Sequence, residues 1–110
     1  MDIDTIRKKI KNGNYIIKSH VIQHALKEGF ERRHIEEAIF RGKIIELYPD
    51  DQRLLICGKI TMSVKSQIYL HVVCEHSDEE YLELITSYIP DEKIWSKPPY
   101  NRLKKKWRKK

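Results

Sequence analysis

The sequence predicts an α+β domain, with N-terminal helices packed on a four- to five-stranded, mainly antiparallel sheet. Three observations carry this reading. Before Gly42, apolar residues recur at helical spacing in three short segments. From Lys43 onward, four runs rich in β-branched and aromatic residues are separated by polar turns. A chain of 110 residues suits one core rather than two.

Taken in order, Ile3, Ile6 and Ile10 follow Asp2 and Asp4 and precede Gly13, which predicts a helix over residues 3 to 12 with Arg7, Lys8, Lys9 and Lys11 on its wet face. Asn14 to Lys18 reads as a short strand. Ser19 is placed to cap a second helix, His20 to Glu28, with Val21, Ala25 and Leu26 facing inward and Gly29 ending it. A third helix, 31 to 41, turns Ile35, Ala38 and Ile39 to the core and stops at Gly42.

The strands follow as KIIELY (43 to 48), RLLICGKI (53 to 60), QIYLHVVCEH (67 to 76) and YLELITSYI (81 to 89). Pro49-Asp50-Asp51, a polar connection over Thr61 to Ser66, and Ser77 to Glu80 separate them, and Pro90 closes the sheet. The third run is the most strand-like. Alternation puts Ile68, Leu70, Val72 and Cys74 on one wholly apolar face, and Tyr69, His71, Val73 and Glu75 on the other. The first face is expected under the helices, and the second lines an open surface with His71 at its middle.

Charge divides the chain. The formal net charge is +6, yet eight basic and no acidic residues lie between Lys97 and Lys110. The remainder, with 14 basic against 16 acidic residues, is slightly negative, so positive potential belongs to the tail and to whatever cluster the fold builds. The expected organisation is one domain over residues 1 to 96 and a basic tail over 97 to 110. Cys57 and Cys74 sit in apolar runs and read as small buried hydrophobes of a reducing compartment. Met1 is followed by acidic residues rather than a leader, and no apolar run approaches the ~20 residues that span a bilayer, so a cytoplasmic location is expected.

Several motifs resemble a small bacterial domain family of unknown function grouped with the RelE/ParE and BrnT type toxins. They are Ser19-His20 and Gly29, Gly42-Lys43-Ile44-Ile45-Glu46-Leu47-Tyr48-Pro49, Gly58, Leu70-His71-Val72-Val73, Ile85-Thr86-Ser87-Tyr88-Ile89-Pro90 and Trp95. The resemblance implies a toxin of a toxin–antitoxin pair, an endoribonuclease acting on messenger RNA, often on the ribosome, and held by an antitoxin protein.

Attack by a ribose 2′-hydroxyl needs a base, an acid and cations for the phosphorane, and imidazoles suit the first two tasks near neutral pH. His71, His20 and His24 are the candidates, the last two one helical turn apart, whereas His34 and His76 read as exposed residues without a role. His20, His24 and Glu28 share a helical face that invites a metal, but no zinc signature such as H-E-x-x-H is present, and neither metal nor cofactor is expected. Arg53 and Lys59 are the phosphate candidates, Thr86 and Tyr88 share a face that can meet RNA, and Tyr100 and Trp107 interleave with the charges of the tail. Two functions stand: a metal-independent endoribonuclease, and a non-catalytic module that binds RNA or a protein with its sheet and tail.

Overall fold

A computed structural model describes residues 1–103. Helices α1 (Ile3–Lys11), α2 (Ser19–Glu28) and α3 (Arg32–Arg41) and strands β1 (Tyr15–Ile17), β2 (Lys43–Tyr48), β3 (Arg53–Ser63), β4 (Ser66–Glu75) and β5 (Leu82–Tyr88) follow in the order α1-β1-α2-α3-β2-β3-β4-β5. The fold is α+β, with the helices on one face of the sheet. Among the described residues no helix is long and apolar enough to cross a membrane.

The helices form where the apolar spacing places them, with different caps. Asp2 accepts a hydrogen bond from the Thr5 amide at 2.8 Å and starts α1, whose Ile6 and Ile10 are buried. Ser19 is not the cap of α2: it is the first helical residue, and Lys18 stands at the cap without a side-chain bond. Leu26, expected inward, is exposed, because only Val21 and Ala25 meet the core. Glu31 caps α3 in a capping box whose second arm is His34, which accepts the Glu31 amide on Nδ1 at 2.9 Å. That bond draws the ring back under the helix, so His34 is buried rather than exposed.

The sheet runs β1-β5-β4-β3-β2 with β4 in the middle. Every neighbouring pair is antiparallel except β1 with β5, which is parallel. The connection expected over residues 61 to 66 is shorter: Thr61 pairs with Gln67 and Ser63 with Ser66, leaving Val64 and Lys65 as the turn. Leu54, Ile56 and Ile60, Leu70, Val72 and Cys74, and Leu82 and Leu84 form the sheet's half of the core; Ile6, Ala25, Ile35, Ala38 and Ile39 face them from the helices and Phe30 from the α2–α3 connection. Both cysteines are free and buried.

Two local features set the opposite, outer face. The β2–β3 register slips between Ile44 and Glu46, a bulge at Ile45, so Lys43 pairs with Cys57, Glu46 with Leu55 and Tyr48 with Arg53. The slip turns Lys43, Glu46 and Tyr48 to the same side as Cys57 and its β4 neighbour His71. The second feature is the chain after β5, which crosses this side. Trp95 and Arg102 form an antiparallel bridge, the Ser96 amide donates to Asn101 O at 2.9 Å and the Leu103 amide to Ile94 O at 2.8 Å. Residues 97–103, which charge alone groups with the tail, therefore extend a strap that lies on the sheet, anchored by the buried Trp95 and Pro99.

Candidate nucleic-acid interface

The strap is fixed to β2 by charge and to β4 by an imidazole. The Arg102 guanidinium grips Glu46 with two bonds, Nε to Oε2 at 2.9 Å and Nη2 to Oε1 at 3.1 Å, and the Tyr48 hydroxyl donates to the same carboxylate. This pairing lowers the Glu46 carboxyl below its ordinary range and raises Arg102, while burial raises Tyr48. The guanidinium also lies 4.5 Å from the centre of the Trp95 ring. Trp95 in turn meets His71 edge to face at 4.4 Å.

His71 is fully buried, and both ring nitrogens are engaged. Pro99 O can only accept, so Nε2 carries the proton and donates to it at 2.8 Å, and Nδ1 then accepts from the Tyr88 hydroxyl at 3.3 Å. Burial holds the His71 pKa below its ordinary 6.5, against an opposing pull from the Pro99 bond and Glu46. A depressed folded value gives a definite sign. Stability carried by the neutral ring is complete above the unfolded value near 6.5, falls as pH drops through the window down to the folded value, and is gone below it. Thermal melts between pH 8 and pH 5 are expected to show this fall in the native chain and its disappearance in His71→Asn; an unchanged slope in the variant would reject the assignment.

A cleft of about 270 Å³ opens at the other end of the outer face, between Arg41, Gly42, Lys43, Cys57, Gly58, Lys59, Tyr69 and Tyr100. On the opposite side of the sheet α3 lies close at this point: a Cβ on Gly42 would stand 2.4 Å from the Ala38 carbonyl oxygen, and one on Gly58 only 2.0 Å. Tyr69 and Tyr100 meet edge to face at 5.8 Å. The Lys43 ammonium lies 3.9 Å from the Tyr100 ring centre and that of Lys59 5.3 Å from Tyr69. Arg41 is held by Glu37 at 3.0 Å. Neither Lys43 nor Lys59 has a carboxylate partner among the described residues. Two uncompensated cations and two aromatic rings thus converge on one wall, with Cys57 beside them, its thiol pushed up to about 11 by burial.

The residues expected to act are distributed as follows. His71 looks onto the outer face, whereas α2 packs Ala25 into the core on the other, so His20 and His24 are separated from His71 by the sheet and the three rings form no common site. His20 is exposed, and His24 contacts Glu28 at 3.1 Å. Among the described residues no group of three potential ligands is placed to hold a metal ion. Arg53 is matched by Glu75 at 2.8 Å, so of the two phosphate candidates only Lys59 presents an unmatched charge. Tyr88 is tied to His71, and Thr86 stands across from Val73, both half-buried. Trp107 lies outside the described residues. Tyr100, expected with the tail, stands instead on the sheet; Lys43, Glu46, Tyr48 and Arg102 are site residues that the sequence pattern does not mark. The Lys-Ile-Ile-Glu-Leu-Tyr run held the first three, but strict alternation sends Lys43 to the opposite face from Glu46 and Tyr48.

A family model described as Domain of unknown function (DUF4258) matches residues 17–89. The chain belongs to this family. No curated protein and no solved structure matches it. The DUF4258 match runs from the end of β1 to just past β5, and so includes Lys43, Lys59, Tyr69 and His71. Trp95, Pro99, Tyr100 and Arg102, which complete the outer face in this DUF4258 domain, fall beyond it.

Proposed function

We propose that this DUF4258 domain is a binding module for single-stranded RNA, with phosphates held at Lys43 and Lys59 and bases stacked on Tyr69 and Tyr100. The observation that carries the reading is the convergence of two uncompensated ammonium groups and two aromatic rings in one cleft on the outer face. Unpaired bases offer π-faces to such rings, and cations beside them track the backbone without reading sequence. The six basic residues from Lys104 to Lys110 add sequence-independent attraction to the same strand, whereas Lys97 and Arg102 are matched by Glu92 and Glu46. Because Pro99 and Arg102 hold the strap in place, a truncation that removes basic charge alone begins after Leu103.

Anisotropy of a labelled oligoribonucleotide of about ten nucleotides, titrated over a range of salt, tests the reading. Each phosphate contact on a single strand contributes roughly 0.7 to the slope of log K against log salt. Lys43→Ala with Lys59→Ala is expected to weaken binding and flatten the slope by roughly 1.4, whereas Arg53→Ala, already matched by Glu75, leaves the slope as it was. A double variant that binds like the native chain sinks the proposal.

In this reading the RNA is held rather than cut, since His71 is enclosed and its expected partners lie across the sheet. The endoribonuclease toxin with an antitoxin, the kinship to RelE and BrnT, and action on the ribosome are supported by the resemblance of motifs alone. Cleavage of the same oligonucleotide at defined phosphodiesters without added metal, abolished by His20→Ala or His24→Ala, would favour them instead.

A further inference from the structure

A second and larger cleft, about 490 Å³, lies against the first. Tyr69 lines both, and the strap runs on directly from Pro99 in one to Tyr100 in the other. The walls of the larger cleft are apolar and mostly flat or stiff: Ile68, Ile89, Pro90, Trp95 and Pro98 besides Tyr69. Its polar groups are already engaged: Glu92 with Lys97, and the Ser96 hydroxyl with the Pro98 carbonyl at 2.6 Å. An occupant therefore finds planar apolar surface inside and two free ammonium groups just beyond Tyr69. A neutral aliphatic chain would leave those charges unanswered, and a base-paired nucleotide could not bring its ring faces to the walls. An unpaired nucleotide satisfies both parts.

Resting on the RNA-binding reading above, we propose that the cleft between Ile89, Trp95 and Pro98 seats one unpaired nucleobase of the strand whose phosphates are held by Lys43 and Lys59. The domain is then a reader of single-stranded character, because this cleft encloses a base in addition to those stacked on Tyr69 and Tyr100. The strap is part of the site, since it supplies Trp95 and Pro98, and the base occupies the angle between it, the start of β4 and the end of β5.

The test compares a ten-nucleotide RNA with a fully abasic ribose-phosphate chain of equal length and charge, using the full chain. The native protein is expected to prefer the base-bearing strand by at least about tenfold, since bases on Tyr69 and Tyr100 add to the one in this cleft. Ile89→Ser, at a side chain 40% exposed and so tolerant of change, is expected to cut that preference at least threefold while leaving the affinity for the abasic chain unaltered. A strand carrying a single photoreactive thiouracil is expected to crosslink within residues 89–98. Crosslinks confined to other segments, or full preference retained by Ile89→Ser, overturn the proposal while RNA binding stands. Equal affinity for the two strands also overturns it, and is the result expected if an apolar side chain of a protein partner fills the cleft. Failure to bind either strand removes the RNA-binding reading and this inference with it.

Discussion

Gly58→Ala is expected to lower the melting temperature by about 15 °C, the equivalent of roughly 3 kcal/mol for a domain of this size. A methyl group there would stand 2.0 Å from the Ala38 carbonyl oxygen, 2.6 Å from its carbon and 2.7 Å from its Cα. All three are backbone atoms, so no rotamer change relieves the clash, and α3 must lift off β3. That movement opens the core between helices and sheet, to which Ala38, Ile39, Ile56 and Leu70 all belong. Differential scanning calorimetry checks the result. A fall under 3 °C would mean that α3 does not ride on Gly58 as described.

Trp95→Ala is expected to cost about 3 kcal/mol, at the lower end for a truncated buried aromatic, because the loss falls on the strap more than on the core. Trp95 is only 3% exposed and is the residue through which Arg102 and His71 touch a common surface. Without it the strap is held by the Glu46–Arg102 fork and the His71–Pro99 bond, both newly open to water. The two cysteines report the difference. Cys57 faces the outer side and is expected to react with a thiol reagent about tenfold faster once its cover loosens and its pKa relaxes from about 11. Cys74, buried in the core with its thiol pushed up to about 12, is expected to stay protected. Equal acceleration of both thiols would instead signal global unfolding, and no acceleration would show that Trp95 does not hold the strap down.

How far the sequence could be read follows from how local each interaction is. The alternation in Leu70-His71-Val72-Val73-Cys74 assigns the two faces of β4, and the helical spacing of Ile35, Ala38 and Ile39 assigns the buried side of α3; both hold because one element's pattern suffices. Glu46 and Tyr48 escaped because a single extra residue at Ile45 reverses every side chain after it, and a bulge leaves no mark in composition. His34 escaped because its bond to the Glu31 amide replaces the usual glutamate of a capping box. Arg102 looked like one more charge in a basic run; its fork onto Glu46 joins residues 56 apart, and nothing near either residue announces the other. The histidines illustrate the same limit from the opposite side. Their residue type suited the chemistry, but which face of the sheet each ring occupies is decided by α2 packing inward and the strap folding outward.

The pairing of β1 with β5 places the earliest strand of the chain beside the last. Tyr15, Ile16 and Ile17 have no neighbour in the sheet until Leu82, Glu83 and Leu84 arrive. During synthesis, the amino-terminal third must therefore leave the ribosome with its inner surface unfinished and wait for some 65 further residues, a delay set by loop closure over that distance. The exposed cations Lys8 and Lys11 at the end of α1 give that waiting segment a soluble side. Pairing of β5 with β1 then joins the two ends of the sheet's chain order.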